Sequence, residues 1–355
     1  MTGEELKRIE QTPMFFIVGR PRTGSTLLRM LFDAHPNVVI PQEWPMLMAL
    51  YHQFGNVKKW DAPTLNRFYD ALFQKLRISY WEIQNWPEFD ARRLKESILA
   101  CEGEHTFETL FKVVYSSYHS YFDKKEILLF GDKNPVYSNQ ADQLAKLFPT
   151  AKFIHLIRDY RDNIVSMLDV DFEMPNTTLL AYRWKYSIDT INRTAASFPE
   201  RFVTLRYEDL VADPQSRFAE LCHFLEIPEA PSIFEFQARK EELEAHVPKE
   251  LIDRYFKNLF KPIDASRVGL YKNRLSSRQI RIAELVAGKT GKNAGYITAN
   301  TQFSPLLRLW TFPAIIYAKW LYSVGWLVSL LPYRWMMWLL NKPSVLVKMY
   351  TKLKR

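Results

Sequence analysis

The chain has 355 residues, 47% hydrophobic and 15% aromatic, enough for one large core and an appendage. Its formal charge of +9 does not mark a nucleic-acid surface: residues 300–355 hold eight Lys or Arg and no acid, leaving 40 basic against 39 acidic side chains in the first 299 residues. Two cysteines, Cys101 and Cys222, exclude a disulfide framework, and the polar stretch 1–13 lacks the apolar run of a secretory signal, so residence in the cytoplasm is expected.

Residues 14–18 (MFFIV) form a short apolar run that stops at Gly19, and an amphipathic stretch opens near Ser25. This reads as strand, tight loop and helix, the opening of an α/β domain. The helix ends at DAHP (33–36), because Pro36 disfavours helix at His35 and cannot extend the ladder. From about 43 to 125, strand-like runs are scarce and aromatics recur at helical spacing, among them Trp44, Tyr51, Trp60, Trp86, Tyr115 and Tyr118, which predicts an inserted helical cap. Three further apolar runs, 127–130, 153–157 and 202–205, alternate with helical patterns and end in charged or glycine-bearing loops. The expected architecture is therefore P-loop-like: a central parallel β-sheet flanked by helices, with ligand loops at the carboxyl ends of its strands. Residues 179–196 carry a helical period that Pro199 closes.

The loop GRPRTGST (19–26) has the two glycines of a phosphate loop between strand and helix, where free backbone N–H groups and the helix dipole hold an anion. The residue after Gly24 is Ser25, where a nucleoside-triphosphate loop needs lysine; the cation is Arg22, inside the loop. A second motif, AKFIHLIRDYRDNIVS (151–166), is a strand ending on Arg158 and a helix that brings Ser166 eight residues on. A fixed guanidinium and a hydroxyl suit one dianion. The plainer alternative pairs Arg158 with Asp159 or Asp162.

PRTGSTLLR (21–29), DAHP (33–36) and Glu43 together resemble the superfamily of sulfotransferases that use 3′-phosphoadenosine 5′-phosphosulfate (PAPS), especially its tyrosylprotein and bacterial branches, over about 15–275. The resemblance implies that Arg22, Thr23, Gly24, Ser25 and Thr26 hold the 5′-phosphosulfate and that Arg158 and Ser166 hold the 3′-phosphate. RYEDL (206–210) implies Tyr207 beside the adenine. SRVGLYKNRL (266–275) resembles the basic loop over the 3′-phosphate, which gives Lys272 and Arg274 to the donor, although Tyr271 stands where the family usually has tryptophan. Glu43 corresponds to the base that takes the acceptor proton, and Lys133, in GDKNP (131–135), to the lysine on the leaving oxygen. Arg22 is then catalytic as well as donor-binding. An exposed Glu43 after a turn is the bland alternative, and the cap histidines His105 and His119 stay open as bases. No Cys/His cluster suggests a metal, and none is required.

Residues 1–299 are thus read as the donor-binding domain, with its cap at about 43–125, and 300–355 as a basic, Trp-rich segment. Within it, 306–340 interleaves Trp, Tyr, Leu and Ile with Arg308, Lys319 and Arg334, which suits helices lying on an anionic membrane surface. The apolar run 320–331 is shorter than the roughly 20 residues a spanning helix needs, and spanning stays open with Lys319 and Arg334 flanking it. The alternatives are a helical hairpin packed on the catalytic domain or on a second subunit, so a homo-oligomer stays open. Expected partners are a small-molecule or lipid-like alcohol as acceptor and, through 306–355, the inner face of the membrane, without nucleic acid. Protein tyrosine or carbohydrate acceptors, a small-molecule P-loop kinase and an inactive donor-binding adaptor are the rival readings.

Overall fold

The computed structural model describes residues 1–74, 82–170, 172–231, 233–234, 262–331, 335 and 338–339. After helix α1 (Gly3–Gln11), the run Met14–Val18 becomes β1, buried on both faces. Its side chains alternate: Phe16 and Val18 enter the cluster shared with the cap, while Phe15 and Ile17 enter the one beneath the following helix α2 (Ser25–Ala34). A two-residue strand β2 (Val38–Val39) precedes the cap.

The cap consists of α3 (Leu47–Phe54), α4 (Ala62–Ala71), α5 (Ala91–Leu99) and α6 (Phe107–Ser116), with a short antiparallel tie between β3 (Lys59–Trp60) and β4 (Gly103–Glu104) that the aromatic spacing does not predict. Asp61, Asp90 and Thr106 start α4, α5 and α6 by accepting hydrogen bonds from first-turn N–H groups. Trp44, Trp60, Trp86, Tyr115 and Tyr118 are all buried, packing largely on each other and on Phe residues, as in the 6.1 Å stack of Trp44 on Phe111. The aromatics of the cap are its core.

The chain returns to the sheet as β5 (Leu129–Lys133), followed by α7 (Ala141–Leu147), β6 (Lys152–Ile157), α8 (Tyr160–Leu168), α9 (Thr177–Ser197), β7 (Phe202–Arg206), α10 (Tyr207–Ala212) and α11 (Pro214–Leu225). The strand order is β2-β5-β1-β6-β7, all pairs parallel, with Ile17 level with Lys133 and Ile157 level with Arg206. Consequently Gly19, Lys133, Arg158 and Tyr207 all lie at the carboxyl ends of parallel strands, where open α/β sheets place their ligands.

Beyond 262, a short helix Tyr271–Arg274 and a longer one, Ser277–Asn293, pack against α8 and α9. The C-terminal helix Pro305–Ser329 rests on α9 with one side: the rings of Tyr322 and Tyr186 stack at 3.8 Å. Its other side exposes Leu306, Leu309, Trp310, Phe312, Ile316, Trp320, Trp326 and Leu327. Among the described residues no helix is long and apolar enough to cross a membrane. Of the predicted interfacial segment, 332–334, 336–337 and all of 340–355 lie outside the described residues.

Candidate active site

The first loop wraps the amino end of α2. Gly19 is required by space, because a Cβ there would stand 2.3 Å from the Leu156 carbonyl oxygen, and the Ser138 hydroxyl holds both its N–H (3.0 Å) and its carbonyl (2.6 Å). The Thr23 hydroxyl donates to the Arg20 carbonyl (2.9 Å), and Asn163 Nδ2 donates to that of Pro21 (2.9 Å). Arg22 adopts a left-handed conformation (φ 68°), uncommon for a residue with a side chain, and its Nε donates to Ser166 Oγ at 3.1 Å. The two predicted phosphate motifs, 144 residues apart, therefore meet in direct contact. Helix α2 begins at Gly24 without any side-chain cap and without an acid in its first turn, so its first N–H groups are directed at the loop's interior.

Arg158 is buried at the tip of β6. Its NH groups donate to the carbonyls of Arg22 (3.3 Å) and Arg267 (2.7 Å), its guanidinium lies 4.6 Å from the Tyr207 ring centroid, and its Nε has no hydrogen-bond partner among the described residues. Its own carbonyl accepts from Trp184 Nε1 (2.9 Å). The alternative pairing with Asp159 or Asp162 is not what forms: Asp159 pairs with Arg161 (2.7 Å), and Asp162 accepts from the N–H groups of Gly269 (2.6 Å) and Tyr271 (2.9 Å), fastening the 262–271 loop to α8. In the short helix that follows, Lys272 is exposed and Arg274 reaches Asp169 at 3.3 Å on the surface, so neither is brought to Arg158. What the loop brings to Arg158 is the backbone carbonyl of Arg267.

The third part joins the loop to the cap. Arg29 of α2 donates to the Ile40 carbonyl (3.2 Å), fixing the segment that carries Glu43, and Gln42 Nε2 donates to the Tyr121 hydroxyl (3.1 Å). Lys133, buried at the end of β5, is ion-paired with Glu43 and reaches Thr26 Oγ1 at 3.4 Å. Burial lowers the lysine's pKa, and the Glu43 carboxylate opposes that shift. Asp132, next along the strand, is held by the Tyr115 hydroxyl (2.8 Å) and by Asn134 Nδ2, and burial pushes its carboxyl up to about 7.

Sequence reasoning passed over Asp132, Ser138, Asn163 and the pair Arg20–Glu173 (2.6 Å). An acid inside an apolar strand marks Asp132, whereas the partners of Ser138 and Glu173 depend on contacts 119 and 153 residues away. Among the described residues no cluster suited to a metal ion occurs.

A parallel sheet with an uncapped phosphate-type loop, a buried arginine at a neighbouring strand tip and a Lys–Glu pair defines a candidate anion-binding site. The model described as "Sulfotransferase family" matches residues 13–231, more than half of the chain, and the chain belongs to that family. It is similar to protein-tyrosine sulfotransferase 1 of Danio rerio, 25% identical over 224 residues covering 61% of this chain and 54% of that protein. It is also similar to omega-hydroxy-beta-dihydromenaquinone-9 sulfotransferase Stf3 of Mycobacterium bovis, 28% identical over 260 residues, 62% of this chain and 65% of that one. Among solved structures, the sulfotransferase domain from the Synechococcus PCC 7002 olefin synthase superposes with a TM-score of 0.48 and 22% identity, covering 78% of this chain and 94% of that one. The chain spans about half the length of the first curated relatives it matches.

Proposed function

We propose that this protein transfers the sulfuryl group of PAPS to a hydroxyl group. The observation that carries the reading is the position of Lys133, whose ammonium touches both Thr26 of the donor loop and Glu43. A cation there neutralises charge growing on the donor's leaving oxygen, and a carboxylate beside it takes the acceptor proton. Two features fit a donor with two separated anionic groups: the uncapped amino end of α2 and the buried Nε of Arg158, which has no partner among the described residues. In this reading Arg22, Thr23, Gly24, Ser25 and Thr26 hold the 5′-phosphosulfate, Arg158 and Ser166 the 3′-phosphate, and Tyr207 borders the nucleoside. The donor supplies an activated sulfuryl group; the chain supplies alignment, charge and a base. Lys272 and Arg274 would join only if their loop moved.

For the acceptor we favour a lipid-like alcohol and a peripheral position on the anionic inner membrane face. The support is the C-terminal helix, which exposes a row of Trp, Leu, Ile and Phe beside Arg308 and Lys319 in a segment without acids. Of the two relatives named above, one is a sulfotransferase of a hydroxylated menaquinone and the other of protein tyrosine, so protein tyrosine is the second reading.

Thermal unfolding with the desulfated donor, 3′-phosphoadenosine 5′-phosphate (PAP), tests the donor assignment, since a ligand bound only to the native state raises its stability. We expect a rise in Tm with PAP that Arg158→Ala abolishes. A rise with Mg-ATP and none with PAP would replace sulfuryl transfer with a kinase reading.

A further inference from the structure

Glu173, in the segment between α8 and α9, has no part in the chemistry proposed above, yet it is buried between two guanidiniums. Its Oε2 lies 2.6 Å from Arg20 of the donor loop and its Oε1 lies 3.0 Å from Arg183 of α9. Both Arg20 and Glu173 keep less than a tenth of their side-chain surface, at 5% and 7%. Arg183 faces the C-terminal helix, with its guanidinium 5.9 Å from the Tyr322 ring centroid, and Tyr322 is stacked on Tyr186 one turn further along α9.

From this chain of contacts we infer that Glu173 is a positioning residue for the donor loop, and that Arg183 and Tyr322 make the seat of the C-terminal helix part of donor-site geometry. The inference rests on the donor reading above. Its physical basis is the cost of an unpaired buried cation: without the carboxylate, Arg20 cannot stay where it is. Arg20 cannot move alone, because its carbonyl accepts the Thr23 hydroxyl and the adjoining Gly19 is clamped by Ser138 through both backbone groups. A shift of Arg20 therefore distorts the turn that presents Arg22 and Gly24. At the other end, the carboxylate's second partner is held by an aromatic seat that exists only while the helix lies on α9. A helix drawn away from α9 leaves Glu173 with one guanidinium and a looser hold on the loop.

Calorimetric titration of the full chain with PAP tests this. Glu173→Gln is expected to raise the PAP Kd by roughly tenfold, and Tyr322→Ala, at the far end of the chain of contacts, by roughly threefold or more. Trp326→Ala, on the exposed side of the same helix, stays within roughly twofold of the parent. In the double variant the two effects add up to less than their sum, because one line of contacts transmits both. Should Glu173→Gln fail to fold, the contrast between Tyr322→Ala and Trp326→Ala decides. A folded Tyr322→Ala protein that binds PAP like the parent overturns the coupling while leaving the donor assignment intact. A parent that binds no PAP removes the donor assignment and the coupling with it.

Discussion

The ring of Tyr207 lies against Gly24 so closely that a Cβ on the glycine would stand 2.5 Å from the ring's Cδ2. Gly24 also has φ 93°, so its lack of a side chain answers two demands, one conformational and one of space. Gly24→Ala is expected to raise the PAP Kd at least roughly tenfold, and adding Tyr207→Ala to restore only part of the loss, since the backbone strain stays. Full restoration in a titration of the double variant would show that crowding alone fixes the glycine.

Glu43 is expected to matter for turnover and little for donor binding. Glu43→Gln should lower kcat by roughly a hundredfold or more, the range for a lost general base, with PAP affinity kept within about threefold. Comparable losses in both quantities would assign Glu43 to holding Lys133 in place.

Ser166 contributes one hydroxyl whose oxygen accepts from Arg22 Nε. Removing it in Ser166→Ala should weaken PAP by about 1 kcal/mol, or roughly fivefold, the net value of one hydrogen bond. An unchanged Kd would take Ser166 out of the donor site.

His155 lies in the interior of β6, and neither ring nitrogen has a partner among the described residues; burial pushes its pKa down to about 3. The unfolded chain therefore takes up the proton first, so the stability due to neutral His155 is complete above about pH 6.5 and is lost as pH falls toward 3. Asp132 acts in the opposite sense, because a carboxyl raised to about 7 costs stability increasingly from about pH 4 to 7. Comparison with His155→Leu at each pH cancels the Asp132 contribution. Between pH 7.5 and 5, urea unfolding should show the variant gaining about 2 kcal/mol on the parent. A constant difference would mean that the imidazole is solvated inside the fold.

The exposed side of the C-terminal helix should govern lipid binding. Trp310→Ser with Trp320→Ser is expected to weaken sedimentation with phosphatidylserine-containing vesicles roughly tenfold or more, and high salt to weaken binding of the parent. Equal binding to neutral and anionic vesicles would remove the electrostatic part of the membrane reading.

The sheet was legible because its strands are short, continuous apolar runs: the 14–18 prediction coincides with Met14–Val18, and 153–157 and 202–205 differ from the strands by a residue at one end. The run at 127–130 is displaced toward Lys133, because Gly131 and Asp132 continue pairing with β1 in spite of their low strand propensity. In the candidate site, Arg22 contacts Ser166, and Glu43, Lys133 and Thr26 are grouped, while Lys272 is exposed and Arg274 pairs with Asp169. A basic loop advertises charge without saying which way it points, and the direction here is set by Asp162 accepting from Gly269 and Tyr271. The helical spacing of the cap aromatics was legible, whereas which ring packs on which, such as Trp44 on Trp86 and Phe111, is set only by tertiary contacts.

The cap is spliced into the fold between two fixed points, Glu43 just before α3 and Lys133 at the end of β5, and these two residues touch. The candidate site thus closes on itself across the insertion, like the clasp of a necklace whose beads can be restrung. On the function proposed above, a lineage built this way can remodel the residues from α3 to α6 to admit a new acceptor while the loop at 19–26, Glu43 and Lys133 stay where they are.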